Sequence, residues 1–111
     1  MKNEDLTIKQ LTEVVMTQAK KKKFGTKPQD ICVGEKFALL HCEVSEAYEA
    51  YRHNNIDGKD GFKEELGDIL TRLLHLAGIF NIDLQKELLK KVKFNKKRTW
   101  DWQNLNEKHS K

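Results

Sequence analysis

Phe62-Lys-Glu-Glu-Leu-Gly-Asp-Ile-Leu-Thr-Arg-Leu-Leu-His-Leu-Ala-Gly-Ile-Phe80 decides the fold class of this 111-residue chain. Within it Leu66, Ile69, Leu70, Leu73, Leu74, Ala77 and Phe80 recur at intervals of three and four, the period of an α-helix with one broad apolar face. A half-buried strand would alternate instead. The spacing predicts a helix over about 62–80, with its apolar face at the centre of a bundle.

Upstream, Asn54-Asn-Ile-Asp-Gly-Lys-Asp-Gly61 breaks the pattern with turn-forming residues and reads as a loop between helices. Before it, Ile31, Phe37, Leu40, Val44, Ala47, Tyr48 and Tyr51 form the stripe of another helix packed on one side, ending near His53. A connection over Thr26 to Asp30, containing Pro28, separates this from a first helix running from Thr7 to about Lys20. There Ile8, Leu11 and Val15 keep helical spacing and Thr7 with Gln10 has the pattern of a capping box. The run Lys20-Lys-Lys-Lys-Phe-Gly25 closes that helix, cations favouring its negative end. Downstream, Asp83 is a candidate cap for a fourth helix through Leu84, Leu88, Leu89 and Val92 into the basic stretch Asn95 to Arg98. Beyond Thr99 no period is visible. The reading is an all-α bundle of four main helices in a single domain, 1–111, with a motif-bearing core over about 31–98 and a tail over 99–111.

The bulk numbers fit that reading. A hydrophobic fraction of 38% beside a charged fraction of 34%, with six Gly and one Pro, favours long amphipathic helices over a turn-rich sheet protein. A domain of this length buries only about two-thirds of its unfolded surface, so the core is modest and the broad apolar face is expected to be completed by oligomerisation, as a dimer or tetramer. Lys and Arg exceed Asp and Glu by 21 to 17, a mildly basic balance that suits an anionic ligand. Cys32 and Cys42 read as parts of one helix, about 15 Å apart, and cannot pair there. With no signal-like N-terminus and no apolar run of membrane-spanning length, the expected setting is cytoplasmic, away from membranes.

The chemistry lies in two sets of residues. Glu43 and Glu46 are three apart on the second helix, and Glu65 and Asp68 are three apart on the third, so each pair shares a helix face. A short loop favours antiparallel neighbours and brings the pairs together. Four carboxylates in one place repel unless a cation neutralises them, and Mg²⁺ is the natural one, since it prefers oxygen ligands and bridges carboxylates to phosphates. Mn²⁺ is a possible substitute. The alternative is that these acids sit on ordinary solvated helix faces, but Cys42, Val44 and Ala47 around the first pair, and the apolar face beside the second, place them near buried surface. Farther on, Lys91, Asn95 and Arg98 recur at spacings of four and three, a row suited to phosphate, with a plain basic helix end as its alternative. Phe24, Trp100 and Trp102 are candidates for a base or sugar pocket, or else for packing. His41, His53, His75 and His109 show no zinc-ligand spacing; His75 lies seven residues from Asp68, where it either borders the site or packs in a helix.

Three motifs in order carry a resemblance: Glu43-Val-Ser-Glu46, then Glu65-Leu-Gly-Asp68 after eighteen intervening residues, then Lys91-Val-Lys-Phe-Asn95-Lys-Lys-Arg98. The chain resembles the MazG-like group of all-alpha nucleoside triphosphate pyrophosphohydrolases over roughly residues 35–98. One departure is Cys42, where many relatives have a further glutamate. The resemblance implies Mg²⁺-dependent cleavage of a nucleoside triphosphate, with a deoxyribonucleotide as the expected substrate, to a nucleoside monophosphate and pyrophosphate, as in nucleotide-pool housecleaning. Glu43, Glu46, Glu65 and Asp68 would be metal ligands, Glu43 or Glu46 would double as general base, and Lys91, Asn95 and Arg98 would hold phosphate, within one chain or across a subunit boundary. Other readings are a related hydrolase acting on dUTP, dCTP or a phosphoribosyl-ATP, a nucleic-acid-binding module gripping through the basic stretches, and a helical interaction protein. The binding module leaves the acid quartet unexplained, which makes nucleic acid the weaker expectation.

Overall fold

The structure, a computed structural model, describes residues 5–98. Among them are four α-helices and no strand: α1 (Ile8–Lys22), α2 (Val33–Arg52), α3 (Phe62–Ile79) and α4 (Leu84–Lys97), with a 3₁₀ turn at Pro28–Asp30. No helix is long and apolar enough to cross a membrane. The tail with Trp100, Trp102 and His109 lies outside the described residues.

Local chemistry sets the helix ends. Thr7 Oγ1 accepts from the Gln10 amide at 3.1 Å, while Gln10 Oε1 accepts from the Thr7 amide at 2.9 Å, the reciprocal box expected for α1. Asp83 Oδ1 accepts from the Lys86 amide at 3.1 Å and caps α4 as its sequence position predicts. The start of α2 differs from expectation. Pro28–Asp30 winds into 3₁₀ geometry and Ile31 is extended, so the helix begins at Val33, with Cys32 as its exposed cap.

Helices α2 and α3 form the main packing unit, and α1 lies on α3. The loop between α2 and α3 is held by Asn55, whose Oδ1 accepts from the Gly58 amide at 3.1 Å and whose Nδ2 donates to the Lys59 carbonyl at 3.1 Å. The Asn55 carbonyl accepts from the Phe62 amide at 2.8 Å, Lys63 pairs with Asp57, and the Tyr51 and Phe62 rings meet with centroids 5.9 Å apart. These contacts turn the chain back on itself and make α2 and α3 antiparallel. On the outer side, Met16 of α1 approaches Gly78 so closely that a Cβ there would lie 2.4 Å from its sulfur. The N-terminal end of α4 is tied to α1 through a Lys9 amide to Gln85 Oε1 bond of 3.1 Å.

The core is thinner than the periodicity predicts. Its buried apolar residues are Ala19, Ala47, Ala50, Leu74, Ala77 and Ile79. On α3 the expected central face divides, with Leu74 and Ala77 inside but Leu66, Leu70, Leu73 and Phe80 exposed. On α2 the stripe of Phe37, Val44, Tyr48 and Tyr51 is also exposed, and the buried residues of that helix are Ala47 and Ala50. Small residues let two helix backbones come close; the larger side chains then lie on flanks left exposed among the described residues.

Candidate metal centre

The antiparallel register of α2 and α3 places Glu43 opposite Arg72 and Glu46 beside Glu65. Glu43, Glu46 and Glu65 each offer an oxygen within 4.8 Å of the others. Asp68, one turn beyond Glu65, lines the same cleft as Glu43 and adds its charge to the field that Glu65 feels. The acids expected to converge therefore do so, three of them in a tight group and the fourth on its border.

Their environments are unequal. Glu65 is only 5% exposed and its Oε2 has no hydrogen-bond partner, whereas Glu46 is open to solvent. A hydrogen bond shared with Glu43, then burial, then the negative charges of Glu43, Glu46 and Asp68 raise the Glu65 carboxyl from its usual value near 4.5 to about 7. Burial pushes Glu43 the same way. That effect is outweighed by the Arg72 hydrogen bond and charge, with help from bonds to Glu65 and Glu46, so Glu43 is held below the usual range. Arg72 Nε donates to Glu43 Oε1 at 2.9 Å in a partly buried pair.

The donor set fits a hard divalent cation. An ion bound at about 2.1 Å has its opposite ligands roughly 4.2 Å apart, close to the spread of these oxygens, and Mg²⁺ retains waters at positions the protein leaves open. A buried carboxylate oxygen without a donor is unfavourable by itself and is satisfied by a cation. No lysine reaches this group among the described residues, and Arg72 engages only Glu43.

Other expected site residues are placed differently. Lys91 and Asn95 lie on α4 and Arg98 is its C-cap, with a helical φ of −75 and its amide donating to the Phe94 carbonyl at 3.0 Å, so the three stay on one row and the backbone leaves the helix only after it. The charges of Lys91 and Arg98 lie over the Phe94 ring, at 5.6 and 5.9 Å from its centroid. None of the three borders a cleft lined by the acids, because α4 turns away at Asn81 and packs on α1. Phe24 does border a cleft with Glu43 and Asp68, as does His75, whose Nε2–H donates to the Gly25 carbonyl at 2.9 Å. Sequence reasoning passed over Arg72 and Lys36, and read Lys22 only within the basic run that closes the first helix. The Asp68–Arg72 spacing of four was the available signal for Arg72; the lysines carried none until the helices packed.

Comparison with family models, with curated proteins and with solved structures yielded no match. The functional reading therefore stands on the residues and their geometry.

Proposed function

We propose that the chain is a Mg²⁺-dependent hydrolase that cleaves a nucleoside triphosphate, with a deoxyribonucleotide as its substrate, to a nucleoside monophosphate and pyrophosphate. The observation that carries this reading is the convergence of Glu43, Glu46 and Glu65 around a buried carboxylate oxygen that lacks any donor. The order and spacing of the three sequence motifs support the same reaction.

Glu43, Glu46, Glu65 and Asp68 would hold Mg²⁺, which when bound neutralises phosphate charge and orients the anhydride for attack. Water adds to one phosphorus of the α–β linkage, the bridging P–O bond there breaks, and its electron pair leaves on the departing phosphate oxygen. The water proton passes to a carboxylate. Glu43 is committed to Arg72 as an anion, which favours solvent-facing Glu46 for that task. A nucleic-acid-binding role gains less support, since it gives the acid group no purpose.

The test is pyrophosphate release from a panel of normal and modified ribo- and deoxyribonucleoside triphosphates with Mg²⁺ or Mn²⁺. Wild type should release pyrophosphate from at least one, and Glu46→Gln and Asp68→Asn should each lower the rate roughly a hundredfold or more with helical content unchanged. No release from any substrate, or full activity in both variants, would refute the assignment.

A further inference from the structure

The acid group opens onto two clefts of similar size that differ in charge. The second, of about 600 Å³, carries Glu46, Glu49, Asp60 and Glu65, and no lysine or arginine lines it. The first, of about 550 Å³, sets Lys22, Lys36 and Arg72 against Glu43 and Asp68. A ligand bearing several negative charges is repelled by the one and drawn to the other.

We propose that the first cleft is the nucleotide chamber, in which Lys22, Lys36 and Arg72 hold the phosphate oxygens and Phe24 stacks on the base. The identity of the ligand rests on the hydrolase reading above; the assignment of these four side chains goes beyond it. The motif-based expectation put phosphate recognition on α4, whose Lys91, Asn95 and Arg98 do not border this cleft.

The volume lies within the range of small-molecule sites. The three cations come from three helices: Lys22 from the last turn of α1, Lys36 from near the start of α2 and Arg72 from α3. Folding, not local sequence, brings them to one wall. Glu43 and Asp68 belong both to this wall and to the acid group, so phosphates held by the lysines lie next to the metal centre. Arg72 engages Glu43 through Nε alone, and among the described residues its two terminal nitrogens make no hydrogen bond. One guanidinium can thus brace a carboxylate and fork onto a phosphate at once.

Phe24 is held by its backbone rather than by packing. Its amide donates to the Ala19 carbonyl at 2.9 Å, it follows Lys23 in the left-handed region (φ 60), and it precedes Gly25 at φ +99. A Cβ on Gly25 would lie 2.8 Å from Ile31 Cγ2, and the Gly25 carbonyl is gripped by His75. The ring is nevertheless 54% exposed. A fixed aromatic with open surface beside a charged cleft is suited to stacking on a base.

Calorimetric titration of the full chain, with Mg²⁺ present, separates the roles. The probes are α,β-methylene deoxynucleoside triphosphates, which resist cleavage, and inorganic tripolyphosphate; Mn²⁺ affinity without nucleotide serves as a readout of the metal centre. Lys22→Gln and Lys36→Gln should each weaken both anions about tenfold, and Phe24→Ala should weaken the nucleotides about tenfold while leaving tripolyphosphate within about twofold. All three should keep Mn²⁺ affinity within about twofold. Wild-type affinity for both probes in the lysine variants overturns the proposal, as does a loss found instead in Lys91→Gln. If wild type hydrolyses triphosphates but the lysine variants keep KM and analogue affinity, the chamber fails and the hydrolase reading survives. If analogues bind in a lysine-dependent way and nothing is hydrolysed, the chamber stands and that reading fails.

Discussion

Glu65 sits 5% exposed with one oxygen unsatisfied and three other carboxyl groups around it, a poor arrangement for an anion and a good one for a cation ligand. Its raised pKa has a definite consequence for stability. Between about pH 4.5 and 7 the folded protein keeps a proton on Glu65 that the unfolded chain has released. The stabilisation from Glu65 is therefore full below the usual carboxyl value and is lost as pH rises through about 7. Glu43 acts in the opposite sense, but below the ordinary carboxyl range, so the two windows do not overlap. Metal-free protein should accordingly melt at a lower temperature at pH 8 than at pH 5.5, and Mg²⁺ should reverse most of that fall at pH 8. Glu65→Gln should flatten the pH dependence and remove the Mg²⁺ effect. A wild-type melting temperature indifferent to both pH and Mg²⁺ would count against Glu65 as a ligand.

At the scale of the element, the loop between α2 and α3 sets the register on which the acid group depends. Gly61, just before α3, has the Gly58 carbonyl, Asn55 Oδ1 and the Asn55 carbonyl at 2.7, 2.9 and 3.0 Å from where a Cβ would stand. Two of the three are backbone atoms and cannot swing aside. Gly61→Ala should therefore destabilise the fold by about 1–3 kcal/mol in urea unfolding, and should also weaken Mn²⁺ binding as α3 shifts against α2. An unchanged unfolding midpoint would show that the loop yields without disturbing the helices. The turn residues of this loop were readable from their types, and so were the caps at Thr7 and Asp83, because these depend on neighbours within a few positions. The row of Lys91, Asn95 and Arg98 was readable for the same reason, since Arg98 still closes the helical turn through its amide bond to Phe94, whereas the packing of α4 on α1 was not.

At the scale of the whole molecule, large apolar side chains are exposed among the described residues. Phe37, Val44, Tyr48 and Tyr51 line one flank of α2, Leu66, Leu70 and Leu73 line a flank of α3, and Leu88, Leu89 and Val92 are exposed on α4. The buried core, by contrast, is mostly alanine. Apolar surface on this scale is ordinarily covered by a partner, and copies of the same chain are the economical choice. Sedimentation equilibrium at micromolar concentration is expected to give a dimer or tetramer. Tyr48→Glu combined with Leu70→Glu should shift it toward monomer with reduced stability. A wild-type monomer would exclude the idea of a bundle completed by oligomerisation.

From the sequence alone came the helical class, the approximate helix positions, two caps and the acids that meet on α2 and α3. All follow from periodicity, short-range hydrogen bonding or a short loop, which are properties of residues close along the chain. The tertiary structure decided which side of each apolar stripe is buried, with alanines inside and most of the larger side chains exposed. It also brought Arg72 to Glu43 across 29 positions, directed α4 away from the acids, and gathered Lys22, Lys36 and Phe24 beside them. Those juxtapositions depend on how helices cross, and no local pattern records that.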